Sequence, residues 1–188
     1  KSSVAGINLG GGKAVIMGDA KKIKNEALLR RFGKFIQSLN GKYITAEDVA
    51  MSSSDMEIIK METNFVSGLP ANMGGGGDPS PVTAYGVYVG MKASAKEVWG
   101  NDSLNGKKVL VQGIGHVGEV LVSHVVKEGA KVFIYDISEE RLKDVSTKYN
   151  VKVVSADTMF DLDIDIYAPC ALGSSVNDDT LSRLKCKI

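Results

Sequence analysis

The chain has 188 residues, 44% of them hydrophobic and 24% charged, so it can bury a core without disulfides or metals and is neither disordered nor fibrous. Its 23 basic and 22 acidic residues leave a formal charge of +1, which offers no global field to nucleic acid or to an anionic membrane. Two cysteines, Cys170 and Cys186, are too few for a disulfide framework or a zinc cage and point to a reducing, cytoplasmic setting, and no apolar run approaches the roughly 20 residues that cross a bilayer.

The short apolar run at residues 13–17 reads as a buried strand. Residues 22–39 read as a helix, because Ile23, Ala27, Leu28, Phe32, Phe35, Ile36 and Leu39 recur at three- and four-residue steps. Asn40-Gly41 is its stop signal, since both tolerate left-handed backbone. Residues 42–46 read as the next strand, and 54–59 as a short serine-capped helix. The cluster Gly74-Gly75-Gly76-Gly77 and the prolines of Asp78-Pro79-Ser80-Pro81 then mark a domain boundary, with residues 1–78 before it and 79–188 after it. Beyond it a long helix is predicted over 81–98, with proline allowed in its first turn. Strands at 109–112 and 131–135 alternate with helices at 116–127 and 138–149, and further strands are expected at 151–154 and 164–168. Such alternation predicts an α/β fold: a Rossmann-like doubly wound parallel sheet after the boundary, with part of a second α/β domain before it.

Val109-Leu-Val-Gln-Gly113-Ile-Gly115-His116-Val117-Gly118 sets Gly-x-Gly-x-x-Gly directly after a strand and at the start of a helix. There Gly113 permits the tight turn, Gly115 lets the backbone approach a pyrophosphate, and Gly118 allows close helix–sheet packing, while the helix start at His116 and Val117 offers free amides to the phosphates. Asp136, ending the second strand, stands where the fingerprint's acid falls, about 20 residues on. A carboxylate there accepts bonds from both adenosine ribose hydroxyls and repels a 2′-phosphate, so NAD is expected rather than NADP. His116 and His124 lack companions at ligand spacing and read as helix-surface residues, and no metal is expected. Asp161-Leu-Asp163-Ile-Asp165 reads as a half-solvated loop and strand edge rather than a cation site.

Gly6-Ile-Asn-Leu-Gly10-Gly11-Gly12-Lys13 brings bare backbone up to a lysine. Glycine lets a substrate approach closely, and a lysine partly withdrawn from water serves as a base near neutral pH, although an ordinary turn before a surface lysine has the same pattern. It is not a P-loop, which needs Gly-Lys-Ser or Gly-Lys-Thr after four intervening residues.

Gly10-Gly-Gly-Lys13, Tyr43-Ile-Thr-Ala-Glu-Asp48, Asp78-Pro-Ser-Pro-Val-Thr83-Ala-Tyr-Gly-Val and Ala168-Pro-Cys170-Ala171-Leu-Gly173 occur in one order with the dinucleotide fingerprint. As a set they closely resemble the Glu/Leu/Phe/Val amino-acid dehydrogenases, the leucine-oxidising members most of all, over essentially the whole chain. The resemblance implies NAD-dependent oxidative deamination of a branched-chain L-amino acid, with phenylalanine or valine as alternative specificities and an inactive dinucleotide-binding fragment as the non-enzymatic alternative. It implies that Lys13 activates the water attacking the imine carbon, that Asp48 exchanges protons with the substrate amine, and that Lys1 pairs with the α-carboxylate. Ala46, Gly11 and Gly12 are implied on the substrate side, and Thr83, Ala168, Cys170 and Ala171 on the cofactor side. Residues 1–78 then form part of a substrate and catalytic domain, and 79–188 a linking helix with an incomplete NAD-binding domain. The family extends beyond both ends of this sequence, and a homo-oligomer acting on a small molecule is implied, without nucleic-acid or membrane partners. A glutamate-specific site would need a cation for the distal carboxylate. With Lys1 and Lys13 assigned, no further basic residue falls at 43–48 beyond Lys42, so leucine, isoleucine and valine are expected as substrates and glutamate as a poor one.

Overall fold

Residues 2–188 are described by a computed structural model, and the chain divides into two units, Lys1–Pro79 and Ser80–Ile188. In the first unit, α1 (Ala20–Ile23) is followed by α2 (Glu26–Ser38), and α3 (Ser53–Lys60) packs on α2. The helix expected across 22–39 is broken because Lys24 is extended and Asn25 caps α2, its side chain accepting the Leu28 amide at 2.9 Å. Leu29, Gly33 and Ile36 form the buried face, whereas Phe35 points to solvent. Bare backbone at Gly33 lets the helices meet: a Cβ there would lie 2.9 Å from Glu62 Cβ and 3.0 Å from Ile59 O. Leu29, Met56, Ile59, Val66 and Leu69 complete this small core. The stop at Asn40-Gly41 is as expected, with φ of 46° and 83°. The serine cap of α3 is Ser52, in a capping box with Asp55.

Both strands expected in this unit are corrected. Residues 13–17 have no regular secondary structure, and Val15 and Met17 are 83% and 90% exposed. At 42–46 only Thr45 pairs, in a parallel bridge with Val66. Apolar or β-branched residues favour a strand, but a strand forms only where a neighbour takes its amides and carbonyls.

The second unit is a parallel sheet with helices. α4 (Ser80–Trp99) leads to β1 (Lys108–Gln112), α5 (His116–Lys127), β2 (Lys131–Tyr135), α6 (Glu139–Tyr149), β3 (Lys152–Val153) and β4 (Ile166–Pro169), with a short α7 (Asp178–Leu181) near the end. The strand order is β3-β2-β1-β4, all parallel. Side chains of β1 alternate between two cores. Val109 and Val111 meet Ala84, Met91, Leu121, Val122 and Val125 from α4 and α5, while Leu110 meets Met159, Phe160, Ile164 and Tyr167 on the opposite face. Among the described residues no helix is long and apolar enough to cross a membrane.

The tightest glycine contact of this second unit is at the turn after β1. Gly113 has φ of 84°, and a Cβ on Gly118 would stand 1.9 Å from Gly113 O. Gly118→Ala is therefore expected to lower the unfolding free energy by about 3 kcal/mol, the upper end for overpacking. Denaturant titration checks this, and an unchanged midpoint would show that α5 shifts freely.

Candidate active site and glycine turn

The first unit contains a cavity of about 490 Å³ lined by Gly12, Lys13, Tyr43, Ala46 and Asp48, with apolar walls from Leu28, Phe32, Ile44 and Met56. The segment carrying Lys13 is seated by aromatic packing: a Cβ at Gly12 would lie 3.1 Å from the Tyr43 ring, so the ring rests on bare backbone. Gly11 faces open space. The Lys13 ammonium forms an ion pair with Asp48 Oδ2, and Asp48 Oδ1 accepts the Val49 amide at 2.8 Å. Lys13 and Asp48, the two residues to which the resemblance assigned the chemistry, are thus in contact. The expected withdrawal of Lys13 from water is not found, for its side chain is 76% exposed and that of Asp48 52%. Lys13 lies on irregular backbone, and no element of its own unit covers it. Lys1 lies outside the described residues.

A third charged group was missed. Lys24 also lines the cavity, and its Nζ donates to Asp55 Oδ2 at 2.8 Å and to Ala50 O at 2.9 Å. Burial works against the Asp55 charge, but bonds from Lys24 and Ser52 outweigh it and hold the carboxyl below its usual range. Lys24 brings a cation to the cavity from outside the 43–48 stretch, and its charge is already matched by Asp55. Its place directly before the asparagine cap of α2 was the available sequence signal. Glu47, also in the lining, accepts from Ser53 Oγ at 2.9 Å.

In the second unit the glycine turn is closely packed. Gly113 is left-handed, and a Cβ there would meet Ala171 N at 2.6 Å, so the 170–171 backbone lies against the turn. Gly115 is the N-cap of α5 and makes no side-chain cap hydrogen bond, so the helix start at His116 and Val117 is not capped by its own N-cap side chain. Asp136 Oδ2 accepts the Ile114 amide at 2.8 Å and Oδ1 the Ser138 amide at 2.9 Å. The carboxylate therefore braces two turns while each oxygen keeps a further lone pair. Thr83 is exposed on the first turn of α4, Ala168 is buried inside β4, and Cys170 is half-buried with its thiol pushed up by burial. Burial also raises the Cys186 thiol.

His124 is corrected from a surface residue: its ring stacks on Tyr88 at 5.3 Å between centroids and meets Tyr85 edge-on, joining α5 to α4. Lys92 reinforces that junction through Glu128 at 2.7 Å. The acidic run is tied down residue by residue, Asp161 by Arg183, Asp163 by the Lys108 ammonium and Asp165 by the Lys108 amide.

A four-stranded parallel sheet with helices, a glycine turn opening α5 and an acid directly after β2 places this unit in the parallel α/β class. Comparison with known proteins narrows this. The sequence profile described as Glu/Leu/Phe/Val dehydrogenase, dimerisation domain, matches residues 1–65, and that of Glutamate/Leucine/Phenylalanine/Valine dehydrogenase matches 74–138. The chain belongs to the Glu/Leu/Phe/Val dehydrogenase family. It is 54% identical to the leucine dehydrogenase of Thermoactinomyces intermedius, over 100% of this chain and 51% of that protein. It is 44% identical to the valine dehydrogenase of Streptomyces virginiae, over 100% of this chain and 53% of that protein. Among solved structures, L-tryptophan dehydrogenase from Nostoc punctiforme matches with a TM-score of 0.72 and 36% identity, over 98% of this chain and 52% of the other. The chain spans about half the length of the curated relatives it matches.

Proposed function

We propose that the intact protein oxidises a branched-chain L-amino acid, leucine foremost, to the 2-oxo acid with NAD and water, releasing ammonia and NADH. The observation that carries this reading is the Lys13–Asp48 pair in a cavity with Ala46, Leu28, Phe32, Ile44 and Met56 in its walls. A zwitterionic amino acid needs an anion for its ammonium and an apolar wall for its side chain. Leucine dehydrogenases at 50–54% identity support the same substrate class.

The glycine turn fits a dinucleotide. Gly113 and Gly118 leave no room for side chains, the start of α5 has no side-chain cap, and the lone pairs left on Asp136 suit ribose hydroxyls. Gly113, Gly115, His116, Val117, Gly118 and Asp136 would hold it, with Thr83, Ala168, Cys170 and Ala171 in supporting positions. When bound, NAD supplies the acceptor for the hydrogen and electron pair leaving the α-carbon.

The chain's own residues handle protons and water. Before substrate binds, Lys13 is paired with Asp48. A substrate ammonium that takes over the Asp48 carboxylate releases Lys13 from that pair. Asp48 then receives the amine proton, while Lys13, freed of the carboxylate, gives its own proton to solvent and, as the neutral amine, takes a proton from the water that adds to the imine carbon. Asp48 returns a proton to the departing nitrogen, the hydroxyl on the same carbon gives its proton to solvent, and ammonia leaves as the carbonyl forms. Lys1 pairs with the α-carboxylate, and on the substrate side Gly11 faces open space while Gly12 lines the cavity with bare backbone under the Tyr43 ring. Residues 1–78 serve the substrate and 79–188 the cofactor. Self-association through the region matched by the dimerisation-domain profile, and a cytoplasmic setting for the two free thiols, complete the reading.

Steady-state assays of the intact protein with NAD and each amino acid test it. Leucine should have the highest kcat/KM, with valine lower but still a usable substrate, because a missing methylene changes discrimination by about 1–3 kcal/mol. Glutamate should be poor, since the ammonium of Lys24 is already committed to Asp55. A higher kcat/KM for glutamate than for leucine defeats the proposal.

A further inference from the structure

Asp48 stands at the start of a tight turn whose geometry an alanine does not favour. The Met51 amide donates to Asp48 O at 2.9 Å, which closes the turn around Val49 and Ala50. Ala50 has φ of 61°, a left-handed conformation that costs a residue with a Cβ. The only side chain that reaches the Ala50 carbonyl among the described residues is Lys24, whose Nζ donates to it at 2.9 Å. The same ammonium is anchored at 2.8 Å on Asp55 Oδ2, which also accepts the Ser52 amide at 2.8 Å and the Ser52 hydroxyl at 2.9 Å. Side-chain exposures of 32% for Lys24 and 11% for Asp55 set this pair apart from a loose surface contact.

We infer that Lys24 is a positioning residue for Asp48: anchored on Asp55, it holds the left-handed turn at Ala50 and so fixes where the Asp48 carboxylate stands in the cavity. The inference rests on the proposed role of Asp48 and adds a residue to it. Lys24 itself is paired with Asp55, while Asp48 is paired with Lys13, so Lys24 acts through the backbone. The extended backbone of Lys24, between α1 and the asparagine cap of α2, delivers the side chain to this turn.

The test compares the intact wild type with Lys24→Met, Ala50→Gly and the double variant. Glycine adopts the left-handed conformation without the alanine penalty, so it should offset part of the loss. Lys24→Met is expected to speed hydrogen exchange at the Met51 amide and to lower kcat for leucine by up to about 10²-fold, the scale of a small misplacement of a reacting group. NAD affinity should stay unchanged. In the double variant, protection and kcat should recover part of the way, and if Lys24→Met alone does not fold, comparing the double variant with Ala50→Gly carries the test. Unchanged exchange overturns the inference, and so does faster exchange with kcat intact, which would make the pair merely structural. A wild type that oxidises no amino acid defeats the functional reading instead, and the exchange measurement still decides whether Lys24 holds the turn.

Discussion

In the intact protein, Lys13→Ala is expected to lower kcat for leucine about 10²–10⁴-fold, the usual cost of removing a general base. The fold should survive. Lys13 sits on irregular, exposed backbone, and the Asp48 carboxylate left without its partner is 52% exposed, so no charge is stranded in an apolar interior. NAD affinity should be unchanged, because the glycine turn and Asp136 belong to the other unit. Stopped-flow and steady-state rates with leucine, together with calorimetric NAD titration, check both halves. A variant that kept most of its turnover at neutral pH would remove Lys13 from the mechanism.

Asp136→Ala should act on the cofactor side. Each charge-assisted bond to a ribose hydroxyl is worth about 1.5–3 kcal/mol, and that much NAD affinity should be lost for each bond removed. The amides of Ile114 and Ser138 lose their acceptor as well, so the glycine turn should loosen. Asp136→Asn, which retains one amide acceptor without the charge, should fall between the two. The wild type should bind NAD more tightly than NADP, because the carboxylate repels a 2′-phosphate, and the Michaelis constant for leucine should move little in either variant. Equal affinities of the wild type for the two dinucleotides would overturn the assignment.

The second unit was largely legible because its signals are local. The expected helix at 116–127 and strand at 131–135 coincide with α5 and β2, and β1 and α4 differ from expectation by a residue or so. Hydrophobic periodicity, a serine before α6 and glycines at the β1–α5 turn all act within a few residues of one another. Strand β4 moved two residues from its expected start, because its bounds depend on the register with β1 rather than on its own apolar run.

The first unit depended on partners distant in sequence. Residues 13–17 and 42–46 have strand-like composition, yet pairing alone decides whether such residues become strands, and only Thr45 found a partner. Lys13 and Asp48 were assigned through a resemblance, and nothing in their local sequence announces that they touch. Lys24 and Asp55 stand 31 residues apart, and His124 meets Tyr85 and Tyr88 across two helices, so neither contact has a periodic signature. The sequence by itself determined the glycine turn, the acid after β2 and helices α4, α5 and α6, which local backbone preference and periodicity encode. The tertiary structure alone decided which strands pair and which charges meet, since hydrogen bonds and ion pairs act over distance in space regardless of separation along the chain.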